Sequence, residues 1–180
     1  MNRLTIQQTL RCMDDAWIDL VGGHGFRVRR SDQSYVWYDG EGTIWIAPDH
    51  DLDDDDFLGQ ILLHELCHWV VEGPASAQRP DWGLDNLTAN DEPRERAALR
   101  VQSWLVDPFD LRDVFVATTT FRDDYLTMPA EPPSPRDDHG GVAWGAITRL
   151  RDTPLAHDIH HLLHQASRIV RATRGSTAPR

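Results

Sequence analysis

His64 and His68 are four residues apart, with Glu65 directly after the first, so the stretch reads H-E-x-x-H. On a helix, positions i and i+4 lie one turn apart on the same side, and two imidazoles so placed can bind one metal ion. Glu65 is rotated about 100° from His64, which suits reaching a water at the metal rather than the metal itself. A third ligand must come from elsewhere. Glu95 lies 27 residues beyond His68, on a second segment of helical spacing, and supplies the carboxylate such a site needs. Glu92 is its nearest competitor. Glu72 is another, but three ligands from consecutive turns of one helix fan outward and fit one ion poorly.

The elements that must position these groups are legible around them. Phe57, Leu58, Ile61, Leu62, Leu63, Leu66, Trp69, Val70 and Val71 cover nearly the whole circumference of a helix over 57–72, which should therefore be buried. Leu62, Leu66 and Val70 face the core, and Phe57, Ile61, His64 and His68 lie on the other side. Buried imidazoles need partners for their ring nitrogens, and a metal ion supplies one to each. Two core histidines hydrogen-bonded to backbone or carboxylate are the alternative, which leaves Glu65 unexplained. Gly73-Pro74 ends this helix. Asp91 is placed to cap the next, with Pro93 in its first turn. Glu95, Ala98, Leu99, Gln102 and Val106 share a face of that second helix. Six Asp between Asp49 and Asp56 lack the spacing of a calcium loop. They are expected to oppose the positive end of the 57–72 helix, one of them capping it.

Further out, Ile6, Leu10, Met13, Trp17, Leu20 and Val21 predict a first helix over 3–21, stopped by Gly22-Gly23, with His24 in a loop. Phe26 to Arg30 alternates as a short half-exposed strand. Tyr35–Tyr38 and Thr43–Ala47 flank Asp39-Gly40-Glu41-Gly42 and predict a hairpin. One of its strands is expected to run beside the metal helix and offer an edge to a substrate chain. Residues 107–126, including Thr118-Thr119-Thr120, do not separate helix from strand. Residues 128–141 are Pro- and Asp-rich and predict an exposed loop. Leu155, Ile159, Leu162, Leu163, Ala166, Ile169 and Val170 predict a helix from Pro154 to about Arg171. Its opposite side carries His157, His160, His161 and His164, which reads as a solvated histidine face. The last seven residues, 174–180, are expected to be disordered. The expected class is α+β: one domain over 1–173, with a small mixed sheet packed on the central histidine helix and further helices around it.

Composition limits the chemistry. All 18 basic residues among the 180 are Arg, so Schiff-base and P-loop lysine chemistry is excluded. A net charge of −11 argues against nucleic acid and favours a neutral or basic partner. Cys12 and Cys67 form no CxxC, and Cys67 reads as a small core residue. The N-terminal stretch lacks a signal-peptide apolar region and there is no membrane-length apolar run, so the expected location is the cytoplasm.

The run from His64 to Gly73, then seven residues, then Asp81-Trp82-Gly83, resembles the elongation factor P hydroxylase family. The resemblance covers about residues 35–106 and is carried by His64, Glu65, His68, Trp69, Gly73, Asp81 and Gly83. It implies a zincin-like fold and a non-haem iron enzyme that hydroxylates a modified lysine of elongation factor P. His64 and His68 match the histidine ligands, and the carboxylate ligand falls near Glu95. Leu84-Asp85-Asn86 departs from that family's aromatic-rich sequence. Glu95-Arg96-Ala97-Ala98 is also similar to the E-x-x-A helix of H-E-x-x-H zinc peptidases, in which Glu65 would act as general base. Fe(II) is the favoured ion and Zn(II) the alternative. Asp81 is a candidate for pairing with a substrate cation. A domain that binds a protein partner without catalysis is the remaining reading.

Overall fold

The computed structural model describes residues 3–85, 91–116, 121–131, 133–136 and 140–175. Helices dominate a mixed α+β architecture with one small sheet. The 3–21 segment forms two helices rather than one, α1 (Arg3–Leu10) and α2 (Asp14–Gly23), separated by a tight turn over Arg11–Met13. Ile6, Leu10, Met13, Trp17, Leu20 and Val21 are buried, so the apolar stripe survives the break.

The three strands are β1 (Arg27–Arg30), β2 (Val36–Tyr38) and β3 (Thr43–Ile46). β3 is central: it pairs parallel to β1 and antiparallel to β2, with Tyr38 opposite Ile44 and Val36 opposite Ile46. The hairpin is therefore as expected; of its two strands β3 is interior and β2 lies at the edge of the sheet. Tyr38, Ile44 and Ile46 point into the core. The alternate positions Trp37 and Trp45 stack on the other face, with ring centroids 5.9 Å apart.

α3 (Leu58–Glu72) runs through the middle, as its all-round apolar pattern requires, and packs against α2, α4 (Glu92–Val106) and α6 (Gly140–Leu150). Gly59 allows this packing at its first turn, because a Cβ there would lie 2.4 Å from the Trp17 indole. No aspartate caps α3. Its N-cap is Phe57 in extended conformation, with no side-chain bond to the helix backbone. Asp56 is instead fully buried and bonded to side chains: it accepts from Gln60 Nε2 at 2.9 Å and from the Tyr35 hydroxyl. Asp55 pairs with Arg122 at 2.7 Å. The acidic run thus ties neighbouring segments together. Asp91 likewise gives α4 no side-chain cap; its carboxylate accepts from the Asp85 backbone.

After α4 a tight turn over Asp107–Phe109 leads to buried Val114, Phe115 and Val116, which form no strand. α5 (Arg122–Thr127) follows, and Thr118-Thr119-Thr120 lies outside the described residues. The loop expected over 128–141 is shorter, because Gly140 and Gly141 already belong to α6. Residues 132 and 137–139 of it lie outside the described residues. α7 (Pro154–Gly175) extends past Arg171 and takes in the first two residues of the expected tail; 176–180 lie outside the described residues. One core joins residues from Ile6 to Val170, so α7 closes the same domain that α1 opens. Among the described residues no helix is long and apolar enough to cross a membrane.

Candidate metal centre

α3 presents His64 and His68 one turn apart, and α4 packs beside it with Glu95 in its first turn. The three side chains converge. His64 Nε2 lies 3.1 Å from His68 Nε2 and 3.4 Å from Glu95 Oε1, and His68 Nε2 lies 3.2 Å from Glu95 Oε2. Around an ion with bonds of about 2.0–2.2 Å, neighbouring donors sit about 3–3.5 Å apart. The observed separations fall in that range. These three residues are the only group of ligand type among the described residues that meets closely enough to share one ion.

The surroundings fix how the donors point. Gln102, two turns along α4 from Glu95, donates through Nε2 to the Phe115 carbonyl at 2.9 Å. That turns its Oε1 towards His64 Nδ1, also at 2.9 Å. An amide oxygen can only accept, so Nδ1 of His64 carries a proton and Nε2 faces Glu95 and His68. Within this group two buried atoms have no hydrogen-bond partner, Glu95 Oε1 and His68 Nδ1. That carboxylate oxygen lies 3.4 Å from His64 Nε2, where a shared cation would satisfy it. The donor set fits a divalent ion.

Electrostatics agree. Burial alone would pull the His64 imidazole down, but the Glu95 carboxylate beside it outweighs burial and pushes it up to about 9. Burial works the other way on Glu95, yet the two histidines hold its carboxyl far below the usual range. The pair is an ion pair awaiting exchange: a metal ion can take the place of the His64 proton.

No family model, curated protein or solved structure matches the chain.

Of the other acidic candidates, Glu92 is turned to Arg96, at 2.9 Å, and Glu72 to Arg94, at 3.6 Å. Neither joins the group. Glu65 is 6% exposed and accepts from Trp82 Nε1 at 2.8 Å. One oxygen of Asp81 is engaged within the fold. Its Oδ1 accepts from the Tyr38 backbone at 3.1 Å, which anchors the Asp81-Trp82-Gly83 turn to the outer edge of β2. Cys67 is buried and its thiol is pushed up by burial first and by Glu65 second, as suits an inert core residue. Gln102 and Trp82 were given no role from sequence. A signal existed for Gln102, which shares the Glu95 face of α4. For Trp82 the sequence offered only its place between Asp81 and Gly83.

The four histidines of α7 stay at the surface. His157, His160, His161 and His164 are all exposed, and among the described residues they form no group close enough to share an ion. His160 and His164 rest on Phe109, with ring centroids at 5.7 and 6.5 Å.

Proposed function

We propose that the protein is a metal-dependent hydroxylase with a zincin-like core, holding one ferrous ion through His64, His68 and Glu95. The observation that carries the metal reading is the triangle of donors at 3.1–3.4 Å, drawn from two helices and closed by an orphaned carboxylate oxygen. Ferrous iron held by these two histidines and one carboxylate would supply dioxygen activation. Hydroxylation is favoured because the resemblance from His64 to Gly83 is the longer and more specific one. It also names a substrate class, a protein bearing a modified lysine such as elongation factor P. The net charge of −11 suits such a cationic partner.

The chain's own residues have definable tasks. His64 and His68 bind through Nε2, with Gln102 fixing the His64 ring. Glu95 neutralises charge and closes the ligand set. Glu65, beside the centre, handles a proton while Trp82 holds one of its oxygens. The burial of His64, Glu65 and His68 limits water at the centre.

A zinc peptidase is the second reading, favoured by Glu65 having one oxygen outside the Trp82 bond and by the Glu95-x-x-Ala98 spacing. Glu65 would then take the proton of a water attacking a peptide carbonyl. The test is direct. Protein reconstituted with ferrous ion and given lysine-modified elongation factor P and a two-electron reductant should consume dioxygen, and the substrate should gain one oxygen atom while the other leaves as water. Cut backbones after zinc loading would establish the peptidase instead. Less than a tenth of a metal ion per chain after reconstitution would defeat both, and leave a binding domain.

A further inference from the structure

The Asp81-Trp82-Gly83 turn is costly to build, and its backbone says so. Asp81 and Trp82 have φ of 47° and 61°, in the left-handed region that residues with a Cβ avoid. Such conformations persist where the surroundings over-determine them. Here they do. The Asp81 carboxylate is bonded to the Tyr38 backbone. The Trp82 indole lies flat on the Tyr38 ring, with centroids 3.8 Å apart and planes within 3°, and meets the edge of Phe26 at 5.4 Å. The Tyr38 hydroxyl donates to the Ala77 carbonyl at 2.6 Å and so locks the preceding loop to the sheet. Pro80 approaches the hairpin so closely that a Cβ at Gly40 would lie 2.7 Å from its nitrogen. Two strained residues, one stack and one close approach thus fix an indole whose single polar atom reaches Glu65 Oε2 at 2.8 Å.

From this geometry we infer that Trp82 is the positioning residue for Glu65: its indole N–H holds the carboxylate in one orientation beside the His64–His68–Glu95 centre. The inference rests on the metal-dependent reading above and holds for either chemistry. A glutamate carboxylate at the end of three rotatable bonds has many rotamers, and one donor on a rigid, stacked ring selects among them. The hairpin therefore takes part in the site without touching it. Its Tyr38 sets the plane on which Trp82 rests, which gives a physical reason for a sheet packed beside a helical metal site.

The experiment uses cobalt(II) as the ion and acetohydroxamic acid as the probe. The probe loses a proton as it chelates, and Glu65 is the group placed to take it. Wild type, Glu65→Gln, Trp82→Phe and the double variant are loaded with cobalt and titrated, with visible absorption as the readout. All four should retain cobalt. Each single variant should weaken the probe by about tenfold or more, the scale of losing a supporting contact at a metal site. The double variant should be no weaker than Glu65→Gln alone, because the indole acts only through the carboxylate. Wild-type affinity in Trp82→Phe, or additive losses, would overturn the positioning role while leaving the metal reading intact. A wild type that takes up no cobalt would remove the metal reading and this inference together. If Trp82→Phe fails to fold, indole NMR of Glu65→Gln decides. One of the seven Trp indole N–H signals should move, and no movement overturns the proposal.

Discussion

Two helices of this molecule carry histidines at i, i+4, and only one pair meets the requirements of a site. On α3, His64 and His68 are 5% and 6% exposed, Glu95 faces both from α4, and Gln102 fixes one ring. On α7, His160 and His164 have the same spacing but lie at the surface on Phe109, and His161 spends its Nε2 on Gln165 at 2.7 Å. Spacing along one helix brings two donors together. A carboxylate from a second helix makes a third, and burial keeps water from competing. The charge environment separates the pairs too. Burial pulls down both His64 and His160. For His64 the Glu95 carboxylate reverses the sign, whereas for His160 the neighbouring His157 adds to it.

The largest effect expected from this contrast is on metal retention. His64→Ala or His68→Ala should drop the metal below a tenth of the wild-type content in gel-filtered protein, by elemental analysis. The paired change His160→Ala with His164→Ala should leave the content unchanged, and a loss there would move the site to α7. Next, Glu95→Ala should weaken the ion more than about 100-fold in chelator competition, beyond the effect of losing a supporting residue, while Glu92→Ala should do nothing. Equal losses in both variants would mean that the triangle around Glu95 is not the binding geometry. Third, Gln102→Leu should weaken the ion about 10–100-fold while His64 and His68 remain in place. A smaller loss would show that the His64 ring needs no anchor.

The mildest test is a titration of the metal-free protein by histidine NMR. His64 should keep its proton up to about pH 9, and His160 should lose its own below the ordinary value of 6.5. The sign for stability follows. A raised folded-state value contributes fully below the unfolded value of about 6.5, and the contribution is lost as pH rises through about 9. His64→Gln should flatten the stability profile across that window; an unchanged profile would mean that the Glu95 pairing does not stabilise the fold.

Much of this was legible because local patterns are strong here. The apolar circumference of residues 58–71 has one physical outcome, a buried helix, and it placed His64 and His68 correctly. The hairpin around Gly40 and the solvated face of α7 followed from period and turn residues. The failures share a cause. Asp56 and Asp91 had the type and position of caps, but tertiary partners, Gln60, Tyr35 and the Asp85 backbone, drew their carboxylates away. The turn at Arg11–Met13 leaves the apolar stripe intact, so periodicity does not register it. The bond of Asp81 to the Tyr38 backbone 43 residues away likewise has no local signature.

Sequence by itself determined which residues are chemically able to hold an ion, and that two of them share one helix face, because those properties depend on residue type and a fixed rise per turn. Only the tertiary structure decided that Glu95 rather than Glu92 or Glu72 meets the two histidines, and that Gln102 and Trp82 bond to His64 and Glu65. Those choices depend on how α4 and the 74–83 loop pack on α3, a matter of long-range burial and competing hydrogen-bond partners.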